Sequence, residues 1–187
     1  MLSLVKNEQD LKTPRLPPEV ALSVLRAQRG SGETLEFLST GLSMAPLISE
    51  DSVVEITFED PAGFRPGDLI LFARGDSLVL HRLIHRWSTE RVIRFREKGD
   101  RQLAAAELQI EDVLGRVTAV QRGDGRVVLR DPTQKAVAFF LLTWSRMEWR
   151  LYEAKKKLFG SGPTRLGRVW SIFSGGVRRV AMRTGRH

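Results

Sequence analysis

Ser43 lies in Thr40-Gly41-Leu42-Ser43-Met44-Ala45-Pro46, between two apolar runs of strand length. Glycine and proline bound the segment, which puts the hydroxyl on a turn, where nucleophiles are commonly displayed. A serine in such a loop is more often a solvated or capping residue, so it gains chemical meaning only beside a base that takes its proton. The chain has three histidines, His81, His85 and His187. In Leu78-Val79-Leu80-His81-Arg82-Leu83-Ile84-His85, a strand places His81 and His85 on one face, roughly 13 Å apart at about 3.3 Å per residue. Only one of them can serve a given serine, and His81 is the better placed. Either ring could instead be a half-buried strand histidine with its hydrogen bonds satisfied.

A histidine base needs a carboxylate to hold its tautomer. Asp100, in Lys98-Gly99-Asp100 on the turn after the next strand, offers one, and Asp112 is a second candidate. Both are equally at home as turn residues bonding their own backbone. On a helix the His-x-x-x-His spacing could hold zinc, but Arg82 stands where a zinc peptidase carries its glutamate, and no third ligand lies nearby. No metal and no cofactor is expected.

The chain has 187 residues, 42% of them hydrophobic, enough for one domain with a core and an appendage. It contains no cysteine, which excludes a thiol nucleophile, disulfides and Cys-ligated metal. Residues 1–144 carry 19 basic and 20 acidic side chains, whereas residues 145–187 carry 11 basic and 2 acidic. A near-neutral body with a basic tail implies two functional parts, because only the tail would attract an anionic surface. The longest apolar stretch, Ala136 to Trp144, is far shorter than the roughly 20 residues of a spanning helix, and Met1 to Arg15 lacks the apolar core of a signal peptide. A cytoplasmic chain is expected, with the tail able to hold it at a membrane periphery.

The elements that must position these residues follow from periodicity. Residues 1–33 are predicted to be an extended arm, ending at Pro17-Pro18, and a short helix over Glu19 to Gln28. Residues 34–131 hold seven strand-length apolar runs: Leu35 to Leu38, Ser52 to Phe58, Asp68 to Phe72, Leu78 to Ile84, Val92 to Phe95, Val113 to Val120 and Arg126 to Leu129. Asp124-Gly125 suits a hairpin between the last two. Residues 132–187 turn helical: Phe140, Trp144, Met147 and Leu151 form one face of a helix that Gly160 to Pro163 should end, and Leu166 to Val180 forms a second apolar stripe among arginines. The fold is therefore expected to be mainly β, with a short N-terminal helix and a basic helical C-terminal extension.

The order of Gly41-Leu42-Ser43-Met44-Ala45-Pro46, Arg65-Pro66-Gly67-Asp68-Leu69-Ile70-Leu71-Phe72, Leu80-His81-Arg82, Lys98-Gly99-Asp100 and Leu114-Gly115-Arg116-Val117 resembles the type I signal peptidase and LexA-like serine peptidases. The likeness covers roughly Thr34 to Leu129. It implies that fold for the β domain, Ser43 as nucleophile, His81 as general base, and an orienting or structural role for Asp100. Histidine followed by arginine is the archaeal and endoplasmic-reticulum form, and a histidine is a base near neutrality without the desolvation a lysine needs. Gly41, Leu42, Met44, Pro46 and Asp68 would surround the substrate and the oxyanion.

The chain also departs from the family. Gly41 replaces the serine that many signal peptidases carry two residues before the nucleophile, which leaves more of the oxyanion stabilisation to the Ser43 backbone N–H. No segment of residues 1–33 reads as the N-terminal membrane anchor usual in signal peptidases, so an unanchored member is expected, and these residues hold neither a helix-turn-helix nor an Ala-Gly bond for self-cleavage. Two activities follow as expectations: a peptidase acting on an extended protein or precursor peptide, or an inactive peptide-binding module of the same fold. For residues 145–187 the expected partner is an anionic membrane or an acidic protein, or else the helical stripes simply cover the β domain. Nucleic acid is not expected, since charge is the sole signal and no recognised module supports it.

Overall fold

The computed structural model describes residues 2–4, 18–90, 92–123 and 125–159. His187 and the apolar stripe of Leu166 to Val180 lie outside them, as does most of the arm before Pro18. The elements are β1 (Leu2–Leu4), α1 (Pro18–Gln28), β2 (Thr34–Ser39), β3 (Val53–Thr57), β4 (Leu69–Arg74), β5 (Ser77–Thr89), β6 (Val92–Lys98), β7 (Ala106–Gln109), β8 (Val113–Arg122), β9 (Gly125–Val128) and α2 (Pro132–Phe159). The chain is mainly β, with one short helix before the sheet and one long helix after it. All seven apolar runs form strands. β1 and β7 were not foreseen, being three and four residues long with too little alternation to read.

The strands form one antiparallel sheet in the order β1-β2-β3-β8-β4-β5-β6-β7, and β9 pairs with β8. β8 is the hinge of this arrangement, because it pairs with β3 and β4 and also with β9. Two apolar clusters fill the interior. Leu22 and Leu25 of α1 join Phe37, Met44, Ile48, Val54, Ile56, Leu71 and Leu114 in one. Phe64, Ile70, Phe72, Leu83, Phe95 and Val113 make the other. β4 feeds both, since successive side chains of a strand point to opposite faces: Leu69 and Leu71 go to the first cluster, Ile70 and Phe72 to the second.

α2 does not dock by the face its apolar periodicity suggests. Phe140, Met147 and Leu151 are exposed, whereas Leu141, Leu142, Ser145 and Glu148 are buried. The reason is electrostatic. Glu148 Oε2 accepts a hydrogen bond of 2.9 Å from Lys98 Nζ at the end of β6, and both side chains are fully buried. The Arg146 guanidinium adds a 2.8 Å bond to the Ile84 carbonyl of β5. The helix is thus registered on the sheet by an ion pair and a backbone contact as much as by leucines.

Breaking a buried pair on one side leaves a desolvated charge, whereas replacing both partners by apolar groups can be neutral. Glu148→Leu is therefore expected to lower the unfolding free energy by about 3–5 kcal/mol in urea titration, and Lys98→Met with Glu148→Leu to recover most of that loss.

Candidate active site

Ser43 follows β2 in a tight turn. The Ala45 N–H donates to the Leu42 carbonyl at 3.2 Å and the Ile48 N–H to the Met44 carbonyl at 3.1 Å. The Ala45–Pro46 bond is cis. Met44 is anchored in the first cluster, Leu42 is exposed, and the Pro46 carbonyl accepts from Arg122 at 3.0 Å. Gly41 and Ser43 line a small pocket whose opposite wall is Leu78, Val79 and Leu80 of β5. β5 pairs with β4 along Ser77 to Arg82, and β6 joins it only from Arg82 onward. The outer edge of Ser77–His81 therefore has no strand partner among the described residues. An unpaired strand edge facing a serine turn is the shape that accepts an extended peptide by strand addition.

His81 is 3% exposed, in the middle of β5. Its Nδ1 is hydrogen-bonded to Glu97 Oε2 on β6. A carboxylate only accepts, so Nδ1 carries the proton and Nε2 is left as the basic nitrogen. The second oxygen of Glu97 takes a bond from Arg74 on β4, whose guanidinium also lies over Phe72. Phe72 meets the His81 ring edge-on, with centroids 5.9 Å apart. The ring is thereby held by a carboxylate on one side and an aromatic wall on another.

Nε2 faces Gly99. A Cβ built on that glycine would lie 2.9 Å from Nε2, closer than any ordinary contact, so the residue there must lack a side chain. The same turn reaches the serine: the Arg101 N–H donates to the Ser43 carbonyl at 2.8 Å, and the Asp100 N–H points at Met44 Sδ at 3.4 Å. Gly99, Asp100 and Arg101 therefore bind the serine turn and the histidine to one segment.

Asp100 does not orient His81. Its carboxylate is bidentate to the neighbouring residue, Arg82, with Nε at 2.9 Å and Nη2 at 2.7 Å, and Arg82 Nη1 continues to the Gly67 carbonyl at 2.9 Å. Its role is structural. Asp112, the other candidate, sits in the short 3-10 turn Ile110–Asp112 that enters β8. Asp68 is also removed from the serine pocket: its carboxylate accepts the Arg65 N–H at 2.8 Å and Arg116 Nη1 at 3.4 Å. Gly67 and Asp68 line a different groove, beneath the first turns of α2 with Leu129, Leu141 and Leu142.

His81 and His85 do not share a face. The pairing of β5 with β6 shifts between Leu83 and His85, where a bulge adds one residue and reverses the alternation. His85 is exposed, stacked on Trp87 with centroids 5.5 Å apart. Partial burial and then the charges of Arg146, Arg96 and Arg150 hold its pKa below the usual histidine value. Among the described residues no group of three His, Cys, Asp or Glu side chains could hold a metal ion.

Glu97 and Arg74 were missed from the sequence, and Gly99 was noted only within Lys98-Gly99-Asp100. Glu97 is the one carboxylate of β6, and no local pattern ties it to His81. No family model matches the chain, and no curated protein or solved structure matches it.

Two outcomes follow from this geometry. Glu97→Gln should remove the preference for the Nδ1–H tautomer of His81, seen as a change in its ring 15N shifts, while Asp100→Asn leaves those shifts in place. His85 binds its proton less readily in the folded chain. Its contribution to stability is thus present above the unfolded value of about 6.5 and lost as pH falls through the lower folded value. His85→Gln should accordingly lose less stability than wild type when urea titrations at pH 7.5 and pH 5 are compared.

Proposed function

We propose that this chain is a serine endopeptidase that cuts an extended segment of another protein or precursor peptide. The observation that carries the reading is the buried His81, with Nδ1 fixed by Glu97 and Nε2 turned to the Gly99–Arg101 segment that also holds Ser43. In the proposed reaction Nε2 takes the Ser43 proton as Oγ bonds to the scissile carbonyl carbon. The proton then passes to the departing amine as the C–N bond breaks, and water, deprotonated by the same nitrogen, releases the acyl group from Oγ. Arg74 and Glu97 keep the ring oriented through both steps. The Ser43 backbone N–H carries the oxyanion, with Gly41 adding no side-chain donor.

The substrate would lie as a strand along Ser77–Leu80, with Leu42 at the rim and the side chains nearest the cut entering the pocket beside Gly41. Such a pocket takes small residues. The resemblance to signal-peptidase and LexA-like enzymes agrees with this, and it also supplies the competing reading. A module with the same groove and no turnover is favoured by Gly41, which leaves the oxyanion to backbone alone.

Incubation of the purified chain with a library of unstructured peptides, read by mass spectrometry, decides between them. Wild type should release products at defined bonds. Ser43→Ala and His81→Ala should each lower that rate by at least about a thousandfold while peptide binding persists. Equal cleavage by Ser43→Ala and wild type would sink the peptidase reading. Binding of peptide by wild type with no product from any sequence would establish the inactive module.

A further inference from the structure

On α2, the exposed Phe140, Met147 and Leu151 recur at intervals of seven and four residues and so form one stripe along the helix. Ala136 and Ala154 extend it at both ends, and both are exposed. Phe139, the most exposed large apolar side chain among the described residues at 71%, stands beside it. From Ala136 to Ala154 the stripe is roughly 27 Å long at about 1.5 Å per residue. Nothing in the sheet covers it, because the helix is committed to the sheet by its other side through Leu141, Ser145 and Glu148. An apolar face of this size on a monomer marks an interaction surface.

Charge selects the occupant. Arg150 and Lys157 are exposed beside the stripe on one side, and Lys155 lies on the other. Of the two acidic residues of α2, Glu148 is buried against Lys98, so the outward surface is cationic. Residues 160–187 carry six arginines and no acidic side chain, so charge gives them no attraction to that surface. A second copy of the helix would meet the same like-charge repulsion. An acidic protein would satisfy the cations, and the phenylalanines only where it also carried a matching apolar strip. A bilayer with anionic headgroups satisfies both, since aromatic and aliphatic side chains enter the acyl boundary while lysine and arginine stay at the phosphates.

We propose that the outward face of α2 docks the protein on an anionic lipid bilayer, with the helix lying in the plane of the surface. This is independent of any chemistry at Ser43. No helix of the described residues is long and apolar enough to cross a membrane, and the attachment is peripheral.

The test is flotation of the full chain with vesicles of phosphatidylcholine alone or mixed with phosphatidylglycerol. Wild type should float with the anionic vesicles, less at high salt, and weakly with neutral ones. Phe140→Asp, Met147→Asp and Leu151→Asp together should reduce the floated fraction on the order of tenfold or more, with the urea midpoint retained because all three positions are exposed. If that variant does not fold, the three alanine substitutions should still lower flotation severalfold. The proposal is overturned if wild type stays at the bottom with anionic vesicles, or if the substituted chain floats as well as wild type, which would assign binding to the basic tail. Wild type sedimenting as a dimer that the aspartate variant dissolves would overturn it too, by placing a second copy on the stripe.

Discussion

The bulge in β5 between Leu83 and His85 is the constraint from which the site follows. One extra residue in a strand moves everything beyond it to the opposite face. With a regular hairpin closing at Thr89 and Val92, His81 would stand opposite Asp100. The bulge moves the partner by one, so that Arg82 pairs with Lys98 and Leu83 with Glu97. His81 then shares its face with Glu97 and looks at Gly99, while Arg82 shares the other face with Asp100. The contacts of His81 with Glu97 and of Arg82 with Asp100 depend on that single insertion.

The end of β6 and the turn after it consequently carry three buried polar contacts in four residues: the hydrogen bond of Glu97 with His81 and the ion pairs Lys98–Glu148 and Asp100–Arg82. Glu97 lies on the face of His81, and Lys98 and Asp100 on the face of Arg82. Each buried charge would be costly alone, and each has a partner brought from a different element. The cost purchases definition rather than net stability: histidine, arginine and α2 can take up one arrangement against β6 and no neighbouring register.

The sequence was informative where one physical signal dominated. Apolar runs with glycine or aspartate at their ends marked seven strands, and the turn of Ser43 was legible from Gly41 and Pro46. The partner of His81 was not, because a bulge leaves no mark in hydrophobic alternation, and Gly99-Asp100 draws attention as a turn while Glu97 reads as one more charged strand residue. α2 misled for a related reason. Its strongest apolar period is Phe140, Trp144, Met147 and Leu151, of which Trp144 alone is half-buried, but helix orientation was decided by the buried pair of Glu148 with a lysine fifty residues earlier. Pairing between distant charges is invisible to any local window.

The hydrogen bond from the Arg101 N–H to the Ser43 carbonyl has a temporal consequence. It spans more than half of the described sheet in sequence, and β4, β5 and β6 must all be in place before it closes. Contacts of such separation form late, after the loop-closure entropy of the intervening chain has been overcome. On a ribosome the serine leaves first, then the histidine, then Glu97 and Arg101, and the helix that locks Lys98 comes last of the described elements. A growing chain therefore carries its hydroxyl and its imidazole as two unconnected groups until the segment from Glu97 to Arg101 has followed them.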